Sequence, residues 1–378
     1  MVTLAGFDLR RLPELLAADP QRLDLARQRQ AAVWRGERPD AWPITFAAPL
    51  TPAQEQIPRP DLAEAFGSAE LMLCGQVRGA CAVANARSDA VPSARGNYGV
   101  GTTLACLGLE QDVFADKMPW VRQHLTREQI AALEPDDIRI RGTFARGLEF
   151  MHLARQIMGS SLPLYCMDTQ GPLDLAHLIM GDDFFYAIHD DPPFVHHLVE
   201  LARELGTRTH LWMKEAAGEP VTQMHHSNGL YAENVGIRVC EDTTAVVAPA
   251  AIATFAMPYT RRLARQFGSA WLHYCGRNDH LTRAACAVPE VRGINFGHIP
   301  GHEEDHVFDD DMALIAASAK VYFGSWPRRA GEGGREYLRR LHRWACRGCL
   351  IPGGDAALAE PDGFANVAAA LDYWYSLG

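Results

Sequence analysis

Along the second half of the chain, short apolar runs alternate with helical or turn-forming stretches. VGIRVCED (235–242), AWLHYCG (270–276), VRGINFGH (291–298), KVYFGSW (320–326) and GCLIPGG (348–354) are the apolar runs. Two strands that pair in parallel must be joined by a crossover of a dozen residues or more, and a helix is the usual one. The alternation therefore predicts βαβ units and an α/β fold. WPITFAAPL (42–50), SLPLYCMD (161–168) and VTQMHHSN (221–228) also read as strands. About seven such units, with no glycine-rich dinucleotide fingerprint after a first strand, favour one closed (β/α)8 barrel over an open doubly wound sheet. No Pro-, Gly- or Ser-rich linker divides residues 1–378, so they are read as a single domain. Residues 1–60 are expected to be a helical extension packed on it.

Helix boundaries are marked by their caps. Asp19, Pro20 and Gly36 bracket one helix, and Thr126 with Gln129 forms a capping box. Gly159 closes another, and a proline-initiated helix beginning near Pro192 ends at Gly218. Phe255, Tyr259, Leu263 and Phe267 recur every four residues, with Pro258 as an expected kink. Residues 74–103, rich in small and turn-forming types, are expected to be a loop facing the substrate.

A formal charge of −10 argues against nucleic acid or an anionic membrane as the main partner. No run approaches about eighteen uninterrupted apolar residues, and the N-terminus lacks a signal-peptide pattern. The nine scattered cysteines fit reduced thiols rather than a disulfide framework, hence a cytoplasmic expectation. The basic stretch 333–348 reads as the solvated face of a helix with Tyr337, Leu338, Leu341 and Trp344 inside.

In a barrel the chemistry sits where the strands end at their C-termini. Those ends carry Asp168 and Gln170; His225, His226 and Asn228; Glu241 and Asp242; His273 and Cys275; and Asn295 and His298, while the last run holds Cys349. Side chains at i and i+2 of a strand share a face, so His273 and Cys275 point together. An imidazole and a thiolate can hold a borderline-soft cation such as zinc, and Cys349 offers a third ligand. Two unrelated core residues would give the same spacing, since free cysteines favour interiors. CRGC (346–349) has no second C-x-x-C to complete a structural zinc site. GHEEDH (301–306) lacks the H-E-x-x-H order of a zincin and reads as a solvated loop.

Taken in order, several segments resemble the uroporphyrinogen decarboxylase superfamily. They are WRGERPDAWPI (34–44), NYGVGTTLACLGL (97–109), DTQGPLDLAHLIMGDDFFYAIHDDPPFVHHLVELARE (168–204), EDTTAVVAPAAIATFAMPYTRRLARQFG (241–268), HYCG (273–276), GINFGH (293–298) and GCLIPGG (348–354). The resemblance implies a TIM-type barrel. The arginine- and glycine-bearing N-terminal motif of the true decarboxylases has only ARQRQAAVWRG as a counterpart, inside a helix and without the motif's tyrosine and prolines. The branch of zinc-dependent methylcobamide methyltransferases is closer, because His273, Cys275 and Cys349 match its His-x-Cys and later Cys. That branch implies zinc and a corrinoid (methylcobalamin) presented by a separate corrinoid protein, with a methyl group moving to or from a small thiol or methylated substrate. Asp168, His225 and Asp242 would then be catalytic, and Asn97, Gln170, Glu241, Asn295 and His298 would contact the substrate. A metal-free decarboxylase of a carboxylated tetrapyrrole, and a non-catalytic corrinoid- or metal-binding barrel, are the alternatives.

Overall fold

The computed structural model describes residues 3–4, 6–298, 306–353 and 364–378. Thus GHEEDH, apart from His306, lies outside the described residues. Seven strands matter for the site: β1 (Gln223–His226), β2 (Leu230–Glu233), β3 (Ile237–Cys240), β4 (Ala270–Cys275), β5 (Val291–Gly297), β6 (Val321–Gly324) and β7 (Leu350–Pro352). Strands β3 to β7 form one sheet in chain order, and every pair in it is parallel. Among the connections are helices Met257–Arg265, Asp279–Cys286, Phe308–Ala317 and Gly334–Ala345. An order that never reverses has no switch point, which separates this sheet from a doubly wound one.

Both edges of the sheet continue through isolated parallel bridges. Gly353 bridges Thr45, Cys240 bridges Gln170, and Leu164 bridges Ala94. The Asp89 N–H donates to the Ile44 carbonyl at 3.0 Å. The expected strands at 42–50 and 161–168 are therefore reduced to single bridging positions.

Alternation along the strands divides the core. Leu272, Tyr274, Ile294, Phe296, Tyr322 and Leu350 belong to the larger cluster shared with the helices. Trp271, Val321, Phe323 and Ile351 face the other way and pack with Val33, Trp34, Met224 and Leu230. The N-terminal helix α1 (Pro20–Arg35) thus covers part of that second face through Val33 and Trp34. Asp19 caps it, Pro20 opens it and left-handed Gly36 ends it, as their chemistry requires. Trp34 is fixed by an indole N–H bond to the Tyr231 carbonyl at 2.9 Å.

Two expectations are corrected. VTQMHHSN does not join the parallel sheet: β1 turns back on β2 as an antiparallel hairpin. Asn228 and Gly229 sit at φ 62° and 80°, where these two residue types are the least strained, so the chain reverses within three residues. The stretch 74–103 is not a loop throughout, because helix α2 (Ala69–Ala86) runs well into it, capped by the Ser68 hydroxyl. Its alanines and cysteines are compatible with a helix packed on both sides, and the irregular segment begins only after Arg87. The Pro258 expectation finds its counterpart in a π-helical stretch, Ile252–Ala256, immediately before the helix that contains the proline.

Within the long helix Pro192–Ala217, His210 is fully enclosed, and burial lowers its pKa to about 4. Its Nδ1–H donates to the Gly206 carbonyl, and Nε2 has no partner. A histidine depressed from 6.5 binds its proton more readily when unfolded, so its contribution to stability is complete above pH 6.5 and disappears as pH falls towards 4. Urea unfolding at pH 7 and 4.5 should show a loss on the order of 2–3 kcal/mol in the wild type beyond that in His210→Leu. Equal losses would assign the acid sensitivity to other groups.

Candidate active site at the strand ends

The parallel register sets the site. Cys240 pairs with His273, and His273 with Asn295, so three neighbouring strands bring these residues to one level. Asp242 follows directly on β3. Ligating atoms of Cys240, Asp242 and His273 all lie within 4.8 Å of one another. Cys275, co-facial with His273, brings its Sγ to 3.6 Å from His273 Nε2. Asp242 Oδ1 accepts the Cys275 N–H at 2.6 Å. Cys275 and Asp242 are exposed at the rim, whereas Cys240 is buried.

The tautomer of His273 follows from its partner. Asn295 Nδ2 donates to the Phe323 carbonyl at 2.7 Å, which turns Oδ1 towards His273 Nδ1 at 2.6 Å. An amide oxygen only accepts, so Nδ1 carries the proton and Nε2 presents its lone pair to the thiols. Burial, with Arg238 adding to it, holds the imidazole pKa far below its ordinary value, so the ring stays neutral. Burial also pushes the Cys275 thiol up to about 11, with Asp242 adding to the effect, and moves Cys240 well above its usual value.

A second layer fixes Asp242. The Asp174 carboxylate, on the helix Pro172–Met180, accepts the backbone N–H of Asp242 at 3.0 Å and of Thr243 at 2.7 Å. Glu241 points the other way: it accepts the Thr260 hydroxyl at 2.7 Å and the Asp174 N–H at 3.3 Å. Its carboxyl lies 2.2 Å from where a Cβ on Gly171 would stand, so only glycine fits there. Burial first, and then mutual or neighbouring negative charge, raises both carboxyl pKa values.

Asp168 lies between two arginines. Its Oδ1 is 3.4 Å from an Arg238 nitrogen and 3.7 Å from one of Arg95. Burial raises its pKa, but the two guanidiniums outweigh that and hold it below the usual value. An acid so held suits a fixed counter-charge better than a proton donor. Asn97 accepts from Arg95 at 3.4 Å. Gln170 is buried beside Cys240, its backbone in the bridge that extends the sheet. His298 follows β5, with its ring 5.0 Å from Trp326.

Besides Glu241, which points to Thr260 and Asp174, and His298, which packs on Trp326, two further expected residues do not join the group. His225 gives its N–H and Nδ1 to Glu219, at 2.6 and 2.8 Å, and Lys214 holds the other oxygen of that carboxylate. The hairpin turns its neighbour His226 inward instead, with its ring 4.9 Å from Trp271. Burial together with Arg238, Arg95 and His273 keeps His226 neutral. Cys349 is the second. The residue level with His273 on the last strand is Ile351, reached through Asn295 and Phe323. Cys349 lies two positions towards the N-terminal end, about 7 Å along the strand. Its thiol donates to the Trp344 carbonyl at 3.3 Å, within the helix-facing core. At the far end of that strand stands Gly353, which has no ligating atom.

Cys240 is the residue that reading the strand ends passes over, whereas His226 is named there beside His225. Period-two alternation makes Arg238 and Cys240 co-facial, but only the register shows that Cys240 meets His273.

No protein-family model matches the chain, and no curated protein matches its sequence. Among solved structures it is similar to a methyltransferase from Methanosarcina mazei, with a TM-score of 0.64 and 16% identity over 93% of this chain and 98% of that one. The mixed α/β architecture, with its five-stranded parallel sheet, is one that a methyltransferase also uses.

Proposed function

We propose that the chain is a methyltransferase acting at these strand ends, with a divalent cation, zinc by its donor chemistry, held by Cys240, His273, Asp242 and Cys275. The observation that carries this reading is the group of one thiol, one carboxylate and one imidazole within 4.8 Å, with a second thiol beside the imidazole. Mixed sulfur, nitrogen and oxygen donors suit zinc, and the Asn295 bond to Nδ1 is the outer support that ligating histidines use. The bridges at Thr45–Gly353, Gln170–Cys240 and Ala94–Leu164, with the Asp89–Ile44 bond, support a sheet closed on itself as an eight-stranded barrel. The resemblance to the methylcobamide branch adds a corrinoid on a separate protein as the methyl carrier. Cys275 and Asp242 at the rim leave room for that approach.

When bound, zinc supplies a Lewis acid and stabilises a thiolate at neutral pH. The chain's own residues do the rest. Asn295 keeps the His273 lone pair aimed inward. Asp174 fixes the backbone of Asp242, and Asp242 in turn fixes that of Cys275. Trp271 and His226, whose rings meet edge to face, form an uncharged wall beside the donor group. Cys349 has no part in the donor set of this reading.

Arg95 and Arg238 favour a second reading, a lyase acting on a carboxylated substrate. Two measurements separate the readings. Metal analysis of fresh protein should give one equivalent of zinc; Cys240→Ser should weaken binding at least about tenfold, while Cys349→Ala leaves stoichiometry unchanged. Incubation with methylcobalamin and a panel of thiols should yield methylated thiol and demethylated corrinoid. Protein without stoichiometric metal, or no methyl loss with any thiol or methylated donor while carbon dioxide is released from a carboxylated tetrapyrrole, would overturn the methyltransferase reading.

A further inference from the structure

A cavity of about 490 Å³ opens at the end of the sheet opposite the donor group. Three strands start beside it: Arg292 is the second residue of β5, and Lys320 and Cys349 immediately precede β6 and β7. On β5, Arg292 stands three residues before Asn295, roughly 10 Å along the strand. Four cations line the cavity: Arg38, Arg292, Lys320 and Arg347. Glu37 is the one acidic side chain on the lining, and Arg35 holds it at 2.8 Å. Counting Glu37 and a terminal carboxylate at Gly378, four cations face two anions. Among the described residues, none of the four cations lies within ion-pair distance of a carboxylate.

Part of this charge serves the fold. Helix α1 and helices Phe308–Ala317 and Gly334–Ala345 all end at the cavity, and cations near helix C-termini are favourable. Arg292 meets that need: Nε and Nη2 donate to the Trp34 carbonyl at 3.1 and 3.0 Å, and Nη1 to the Ala319 carbonyl at 2.7 Å. Lys320 is buried and donates to the Val288 carbonyl at 2.6 Å. Arg38 and Arg347 are exposed, and neither donates a side-chain hydrogen bond among the described residues. Arg347 lies over the Trp344 ring instead, 4.6 Å from its centroid. The lining thus combines two cations fixed by backbone carbonyls with two that no acceptor holds.

From this lining we infer that the cavity binds a phosphate-bearing small molecule, at a site separate from the donor group. Two positive charges in excess suit a phosphate dianion, and guanidinium forks with an ammonium suit its oxygens. The volume falls within the roughly 300–1,000 Å³ of small-molecule sites. Trp42 on the same lining offers an aromatic surface to the organic part of the ligand. Arg292 and Lys320 are already held, so they lose little freedom when a phosphate binds. Burial holds the Lys320 pKa below its ordinary value, and a bound anion offsets that cost. A nucleoside diphosphate has the required charge, ring and size, and the site stands whatever reaction occurs at the strand ends.

Calorimetry on the full chain with ADP, pyrophosphate and adenosine tests the site. The wild type should bind ADP, pyrophosphate should displace it, and adenosine should bind at least about tenfold more weakly. Arg38→Gln combined with Arg347→Gln should weaken ADP binding at least about tenfold; both positions are exposed, and circular dichroism checks the fold. Cys346 is exposed on the lining, so ADP should slow its alkylation by iodoacetamide several-fold, read by peptide mass spectrometry. Cys275, exposed at the strand ends, should react at an unchanged rate. No ADP binding, equal binding of adenosine, or ADP binding that survives the double substitution overturns the site. So does protection of Cys275 in place of Cys346, or binding of an oligonucleotide or acidic protein but not of ADP.

Discussion

The parallel register between β3, β4 and β5 governs the rest of the site. It places Cys240, His273 and Asn295 on one level, and each of their side-chain contacts follows from that placement. A strand's side chains alternate, so a slip of one residue on β4 would turn His273 into the helix-facing core and Tyr274 into the recess. The register is held by apolar packing on both faces. Leu272 and Ile294 lock one side, and Trp271, Phe323 and Ile351 lock the other.

On this frame the polar groups divide by what surrounds them. Near the rim gather a lone-pair-bearing imidazole, two thiols and one carboxylate. Further in, two guanidiniums and an ionised aspartate hold fixed charge. A low-polarity interior tolerates charge only when it is paired, and Asp168 is paired with both arginines.

The inner face is filled from outside the sheet's own sequence neighbourhood. Trp34 from the N-terminal helix and Met224 and Leu230 from the hairpin pack in one cluster with Trp271, Phe323 and Ile351. The hairpin also decides between two adjacent histidines. β1 alternates like any strand, so one imidazole must face the recess and the other must not. Glu219 and Lys214 hold His225 on the outer side.

Local chemistry in the sequence determined the elements: caps at Asp19, Thr126 and Ser68, left-handed glycines at helix ends, and apolar runs of strand length. It also determined that His273 and Cys275 share a face, because alternation is a property of one strand. Which strands meet at which level is not local. Nothing within the stretches IRVC (237–240) and CLIP (349–352) distinguishes Cys240, which joins His273, from Cys349, which stands at the opposite end of its strand. That distinction depends on hydrogen-bond register across strands about thirty to eighty residues apart, set by the packing of the whole core. Likewise VTQMHHSN had strand composition, but the left-handed pair Asn228–Gly229 and the packing of α1 turned it into a hairpin. Tertiary structure alone decided which thiol, which histidine and which arginines face the recess.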